Sequence, residues 1–476
     1  MDKNRVIEAA CWIAGRRLTG GPSLEIHNPY SKEKVGSVIT CTRADTEQAI
    51  EASLHGRKIL PRHERAAILE QARSLLLARR DDFATLIARE SGLCLRETRY
   101  EVGRSCDVLR FAALESLKDD GEAFSGDTSP QGKPRRLFTL REPVGLAAAI
   151  TPFNHPLNQV AHKVAPAIAA GTPMILKPSE KTPLTALRFA ELLYEAGLPG
   201  PALSVLLGPT SEVAEVLVRD PRIDVVMFTG SVAVGKQIAR TAGYKRLVLE
   251  LGGNDPLIVF DDADLELAVT LAAEGAYRNS GQRCTAVKRI LVQESIADAF
   301  TARLVEKTRE YTVGDPLDPD TRVGTVIDEP AAEQLEKILQ RAVAGGARIL
   351  IGGLRSGAQF HPTVISDVPR DAEMVVCESF GPLAPILRVR DFDDAIEVAN
   401  STAYGLSAGV VTSDLSKAIQ AVKQLRCGSV NINEVPGYRV ENSPFGGIKD
   451  SGLGIKEGVT EAVKALTTVK TFSLPW

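Results

Sequence analysis

The chain has 476 residues, 44% hydrophobic and 25% charged, with a net charge of −3. That length and composition allow a large buried core and about three domains at roughly 150 residues each. The near-neutral balance argues against nucleic acid or a membrane surface as a general partner, but leaves room for a local basic pocket.

The start, MDKNRVIEAACWIAGRR, has early acids and a short apolar run, and reads as neither a secretory signal nor a membrane span. No other run approaches the roughly 18 apolar residues needed to cross a bilayer, so a soluble cytoplasmic protein is expected. Residues 64–91 and 97–117 carry apolar positions at helical spacing. Residues 124–143 (FSGDTSPQGKPRRLFTLREP) read as a polar hairpin. From 145 onward the apolar runs GLAAAITP, PMILKPSE, LSVLLGP, DVVMFTGS and RLVLELGG alternate with helical patterns. Such alternation predicts a parallel, doubly wound sheet, which binds ligands at the carboxyl ends of its strands. A second alternating region runs from about 256 to 445, with helices near 263–278, 294–311, 330–345 and 413–424 and strands near 348–352, 384–390 and 407–412. The tail TVKTFSLPW is β-prone.

The chemistry-bearing residues sit at the ends of these runs. Cys284 lies in NSGQRCTAVKR, among polar and basic neighbours, and is either a buried small hydrophobe or a thiolate nucleophile. The other six cysteines (Cys11, Cys41, Cys94, Cys106, Cys377, Cys427) are scattered and form no CxxC pair, so neither a disulfide framework nor a metal site is expected. Asn154, in Thr151-Pro-Phe-Asn-His-Pro156, is a turn residue or an oxyanion donor. Lys177-Pro-Ser-Glu180 is a charged turn or a ribose site, because a carboxylate past a strand end accepts from a 2′-OH and repels a 2′-phosphate. Phe228-Thr-Gly-Ser231 opens a helix whose N–H groups suit a phosphate, although it is not a G-x-G-x-x-G fingerprint. Glu250, in LELGGN, is an exposed strand-terminal acid or a general base.

Taken together, TPFN, KPSE, FTGS, LELGGN, GQRC, ESFGP and PFGG, in this order and spacing, resemble the NAD(P)-dependent aldehyde dehydrogenase superfamily over essentially the whole chain. The resemblance implies an α/β, aldehyde dehydrogenase-like fold. A doubly wound, Rossmann-type NAD-binding domain (1–123 and 144–251) would join a second α/β catalytic domain (252–446). The hairpin 124–143 and the tail 447–476 would form a β oligomerisation element, giving a homodimer or a dimer of dimers. It implies Cys284 as nucleophile, Asn154 with the Cys284 N–H as oxyanion hole, and Glu250 as the base that hydrolyses the thioester. Lys177 and Glu180 would hold the adenine ribose, Ser231 the pyrophosphate, and Glu378 and Phe380 the nicotinamide end. Phe153, Ser179, Gly208, Phe228, Gly230, Val234 and Leu251 would complete the cofactor site. Glu180 favours NAD over NADP. Glu250 favours hydrolysis over transfer to coenzyme A, and Cys377 replaces a frequent second acid. A non-catalytic NAD-binding relative would be signalled by loss of the nucleophile or base, yet Cys284, Asn154 and Glu250 are all present.

The substrate side is unusually basic. Arg104, His155 and Arg283, with Thr285, are expected to line the pocket; a helical Arg104 paired with Glu101 at i−3 is the bland alternative. Three such groups around one small site suggest an anionic headgroup on a short aldehyde. Arg283 is also expected to lower the Cys284 pKa. The runs ESGLC, YEVGRSCDV, ITPFNHPLNQVAHK, LELGGNDPLIV, NSGQRCTAVKR, EVPGYR, FGGIKDSGLG and SLPW resemble the phosphonoacetaldehyde dehydrogenase subfamily. Glyceraldehyde 3-phosphate, sulfoacetaldehyde and carboxylated semialdehydes are the alternative substrates.

Overall fold

Near-continuous apolar strands need cover on both faces, and the intervening helices supply it. In the computed structural model, which describes residues 6–476, five strands lie parallel. Their order is Arg246–Glu250, Val225–Thr229, Ala147–Ile150, Met174–Lys177, Leu203–Val205. Two short antiparallel strands, Trp12–Ile13 and Arg16–Arg17, extend one edge. Strand side chains such as Ala148, Ile175, Val226 and Val248 are fully buried.

The strand order reverses beside Ala147–Ile150. The chain steps outward through Met174–Lys177 and Leu203–Val205, then returns to the other side with Val225–Thr229. This switch point leaves a crevice outside the carboxyl ends of Ala147–Ile150 and Val225–Thr229, where such sheets take ligands.

A second seven-stranded sheet runs in the order Arg348–Ile351, Thr363–Ser366, Leu383–Val389, Arg289–Gln293, Pro256–Val259, Ser407–Val411, Ser429–Ile432. It is parallel except for its Arg348–Ile351 edge. Residues 251–255 alone link the carboxyl end of Arg246–Glu250 to the amino end of Pro256–Val259. The loop before Arg289 enters the second sheet at the same end, because Pro256 pairs with Arg289. The two sheets therefore present opposite strand ends to one gap.

Two expectations change. The helical run over 64–91 is two helices, Arg62–Ala78 and Arg80–Ser91. Arg79 leaves the helical range at φ −111°, and its guanidinium donates to both Glu195 oxygens at 2.7 and 2.6 Å. The tail expected over 447–476 divides. Helix Val459–Ala465 buries Val459, Ala462 and Ala465 in the first core against helix Asn158–Ala170. Only Thr467–Pro475 joins the hairpin, pairing antiparallel with Arg135–Pro143 from Thr467↔Pro143 to Pro475↔Arg135. Strand Ala123–Ser125 completes that three-stranded sheet. Among the described residues no helix is long and apolar enough to cross a membrane, and no cluster of metal-ligating side chains occurs.

Candidate active site

Cys284 sits on a loop that three consecutive left-handed residues force into shape: Asn279 (φ 57°), Ser280 (φ 52°) and Gly281 (φ 71°). Two of these are not glycine, a conformation that persists only where the surroundings impose it. Asn279 Nδ2 donates to the Asn154 carbonyl at 2.9 Å. Asn154 Nδ2 donates back to the Gln282 carbonyl at 2.8 Å, and Gln282 Oε1 accepts from Ile327 N at 2.9 Å. The Asn154 turn and the Cys284 loop thus hold one another. Lys288 Nζ donates to the carbonyls of Gly253 (2.7 Å) and Cys284 (2.8 Å) and to Glu378 Oε1 (2.6 Å).

Glu250, at the end of its strand, is 1% exposed, and neither carboxylate oxygen has a hydrogen-bond partner. Burial, and then Glu457, push its pKa up to about 7, against Lys163, Arg439 and the adjacent Cys284 thiol. A carboxyl poised near neutrality suits a general base. Behind it, Lys163 is fully buried and donates to Thr229 Oγ1 at 2.8 Å and Glu457 Oε1 at 2.6 Å. Burial, then Glu250, push the Cys284 thiol well above its usual value; the opposing cations are Lys288 and Arg439. Arg283 is coupled to the Cys284 thiol as well, but Lys288 and Arg439 are the cations that chiefly favour the thiolate.

One cavity of about 250 Å³ collects Phe153, Asn154, Gly230, Ser231, Glu250, Leu251, Cys284, Glu378 and Phe380. Phe380, at φ 54°, meets Phe153 edge-on, centroids 5.9 Å apart. A Cβ on Gly252 would collide with the Glu378 carboxylate. Ser231 caps helix Val232–Thr241, and Val234, on its first turn, is 48% exposed. Lys177 Nζ and Glu180 Oε1 pair at 2.5 Å just past their strand, and Ser179 Oγ accepts from Lys181 N. Phe228 is buried in its strand. Gly208 packs against the Cys41 carbonyl, where a Cβ would not fit. A capped helix N-terminus, an exposed apolar side chain, a ribose-type carboxylate and a slot ending at the thiol fit a dinucleotide.

A separate cavity of about 530 Å³ is lined by Arg104, Arg439 and Glu441, with Tyr100 and Phe111. Arg104 does not pair with Glu101. Its Nε donates to Glu441 Oε1 and its Nη2 to Oε2 at 3.2 Å. Glu101 Oε1 is taken by the N–H groups of Leu157 (2.8 Å) and Asn158 (2.9 Å). His162 Nε2 lies 2.5 Å from Glu441 Oε2. Burial lowers the His162 pKa, against the pull of Glu441. Burial disfavours the Glu441 anion, but His162 and then Arg104 outweigh it and hold the carboxylate well below its usual range. Arg439 lies over the Phe445 ring, 3.8 Å from its centroid, and its buried Nη1 has no partner. His155 Nδ1, also unpartnered, lies 3.6 Å from Glu101 Oε2. Arg283 Nη2 donates to the carbonyls of Gly275 (2.7 Å) and Glu274 (3.3 Å). Burial, and then Arg278, push its pKa down to about 10, and Arg104 adds to the repulsion. Thr285 is buried against Gly437, which has no room for a side chain.

The reading of motifs missed Lys163, His162, Lys288, Glu457, Arg439 and Glu441. Lys163 and His162 left a signal, two polar residues inside the apolar helix NQVAHKVAPAIAA. Arg439 closes the run EVPGYR, but nothing in that run tied it to the site, and Glu441 left no signal, because both reach the site through a loop.

Residues 17–472 match the sequence profile of the aldehyde dehydrogenase family. The chain is 38% identical over 464 residues to a 3-sulfolactaldehyde dehydrogenase of Priestia aryabhattai, covering 97% of each chain. It superposes with a TM-score of 0.95 on the NADP-dependent glyceraldehyde-3-phosphate dehydrogenase of Bacillus halodurans C-125, complexed with NADP, at 35% identity over 98% of this chain and 99% of that one. Aldehyde dehydrogenase 21 of Physcomitrella patens, in complex with the reaction product succinate, gives a TM-score of 0.95 at 35% identity over 99% and 98%. With a nucleophile loop, base and dinucleotide slot in one gap, the chain belongs to the aldehyde dehydrogenase family.

Proposed function

We propose that this enzyme oxidises phosphonoacetaldehyde to phosphonoacetate with NAD, a step in breakdown of 2-aminoethylphosphonate. The observation that carries the reading is the convergence of Arg104, Arg283 and Arg439 near Cys284. Arg104 repels both other guanidiniums, and Glu441 is the carboxylate that faces Arg104 and Arg439. Such crowding is unfavourable without an anion, and a phosphonate near neutral pH carries more than one negative charge. Arg104 and Arg439 grip the headgroup from the vestibule side, with His155, Arg283 and Thr285 beside the reacting carbon.

Glu250 takes the Cys284 proton, and the thiolate adds to the aldehyde carbon. Asn154 Nδ2–H and the Cys284 N–H stabilise the oxyanion of the thiohemiacetal. Bound NAD supplies the hydride acceptor, held by Lys177, Ser179, Glu180, Ser231, Glu378 and Phe380. The resulting thioester is hydrolysed when Glu250 takes a proton from water, so the free acid leaves and the thiol is regenerated. The proton first taken from Cys284 must leave Glu250 before this step, and the Glu457 carboxylate, paired with the Lys163 ammonium, is its acceptor.

Replacing Arg439 by Met tests the reading. A lost hydrogen bond to a charged group costs about 1.5–3 kcal/mol. KM for phosphonoacetaldehyde should rise roughly ten- to hundredfold while KM for propanal stays within about twofold. Equal losses for both contradict the assignment. Glyceraldehyde 3-phosphate is the second reading, favoured by the likeness to the Bacillus halodurans enzyme. Sulfoacetaldehyde and carboxylated semialdehydes would use the same cations. A purely NAD-binding, non-catalytic role is disfavoured by Cys284, Asn154 and Glu250 together. The hairpin and tail, with exposed Phe472, Leu474 and Trp476, are assigned to subunit contact in a homodimer or homotetramer. A free thiol nucleophile suits the reducing cytoplasm.

A further inference from the structure

The cavity outside Arg104 and Arg439 holds more positive charge than a headgroup clamp needs. Three further arginines line it: Arg73 from helix Arg62–Ala78, Arg80 at the start of Arg80–Ser91, and Arg99 from Leu95–Ser116. Against these five guanidiniums the lining supplies two carboxylates, Asp107 and Glu441. Glu441 is already spent on Arg104 and His162.

Two of the outer arginines, Arg73 and Arg80, are weakly engaged. Arg73 Nε is buried without a partner, and its Nη1 stands 3.6 Å from Glu70. Arg80 donates to the Arg99 carbonyl at 3.5 Å. Arg99 is tied to Asp81 at 2.8 Å. Arg73 and Arg80 line the same cavity as Cys106, whose thiol burial pushes up to about 11 against the pull of Arg73. Arg99, Gly103 and Cys106 follow one another at helical spacing on the cavity wall. Gly103 is in mid-helix, where glycine is the poorest non-proline choice. A Cβ there would meet nothing within 4 Å. The helix thus keeps space open between the outer arginines and the clamp.

We propose that Arg73, Arg80 and Arg99 form an outer vestibule that collects dianionic organophosphonate or phosphate headgroups and delivers them to Arg104 and Arg439. A positively lined cleft with low-dielectric walls raises the local concentration of its substrate and speeds capture. The vestibule rests on the anionic-aldehyde reading given above.

The test measures kcat and kcat/KM for phosphonoacetaldehyde and for propanal with the full-length enzyme and NAD. The variants are R73Q/R80Q, G103E, which adds a negative charge in open space without removing an arginine, and R348Q. Arg348 is a control on an edge strand, 72% exposed and paired with Asp367. Expected is a drop of about tenfold in kcat/KM for phosphonoacetaldehyde relative to propanal in R73Q/R80Q, and a larger one in G103E, with kcat held. R348Q should match the parent. The parent preference should shrink as ionic strength rises from about 0.01 to 0.3 M, where screening shortens the field. A parent that prefers phosphonoacetaldehyde while both vestibule variants leave the ratio unchanged overturns the vestibule and spares the function. A parent without any preference overturns both, since the vestibule then has no ligand.

Discussion

Glu441 and Arg104 face each other as a two-point ion pair, Nη2 to Oε2 at 3.2 Å with Nε on Oε1, although 337 residues separate them. The same carboxylate also accepts from His162 Nε2 at 2.5 Å. One acid therefore positions the pocket arginine and offsets part of the charge that would otherwise repel Arg439.

Replacing Glu441 by Gln should leave buried guanidiniums uncompensated and cost about 3–5 kcal/mol of stability. Thermal denaturation should show a lower Tm that inorganic phosphate partly restores, because a bound anion takes over the lost charge. A Tm insensitive to phosphate contradicts this.

Glu250 must be ionised to take a proton from water. With its pKa pushed up to about 7 by burial and Glu457, hydrolysis of the thioester should rise with pH through about 7. The stability effect has the opposite sense. An unfolded Glu ionises near 4.5, so the folded state holds an extra proton between about 4.5 and 7. That contribution is complete below about 4.5 and is lost as pH climbs through 7, on the order of 3 kcal/mol. Glu250→Gln should therefore gain Tm over the parent at pH 8 relative to pH 5 while losing thioester hydrolysis.

Lys163 and Glu457 act on Glu250 in opposite directions. Lys163→Met should move the pH profile of thioester hydrolysis to higher pH, and Glu457→Gln to lower pH. Shifts of the same sign would exclude electrostatic control by this pair.

Alkylation of Cys284 by iodoacetamide should follow a pH profile displaced above that of a free thiol, since burial and Glu250 oppose the thiolate. Lys288→Met or Arg439→Met should displace it further. Arg283→Met should displace it in the same direction but by less, since Arg283 also couples to the thiol.

Glu180→Gln removes the carboxylate that would repel a 2′-phosphate, a clash worth several kcal/mol where both are close. The ratio of kcat/KM for NAD over NADP should fall by on the order of tenfold. An unchanged ratio would place cofactor choice elsewhere.

The parallel sheet was legible because its strands are short, mostly apolar runs closed by turn residues, as in Val225–Thr229. Cys284, Asn154 and Glu250, which line one cavity, each sit in a turn of distinctive sequence, so they could be singled out as candidates for the same reason. Strands such as Pro256–Val259 and Ser429–Ile432 were not, because periodicity cannot separate four residues from a loop. The partner of Arg104 was not legible, because helical spacing names only local partners such as Glu101. Glu441 arrives from a loop hundreds of residues away, as does Arg439. Lys163 and Glu457 meet only when helix Asn158–Ala170 packs beneath the strand that carries Thr229.

The most direct measurement is NADH formation by the purified enzyme with phosphonoacetaldehyde, sulfoacetaldehyde, glyceraldehyde 3-phosphate, succinic semialdehyde and propanal, compared by kcat/KM. Two charge-assisted contacts from Arg104 and Arg439 predict that phosphonoacetaldehyde leads propanal by roughly 10²- to 10⁴-fold and leads the other anions too. Equal values for propanal and phosphonoacetaldehyde would contradict the account, leaving the arginines structural and the enzyme a general aldehyde dehydrogenase.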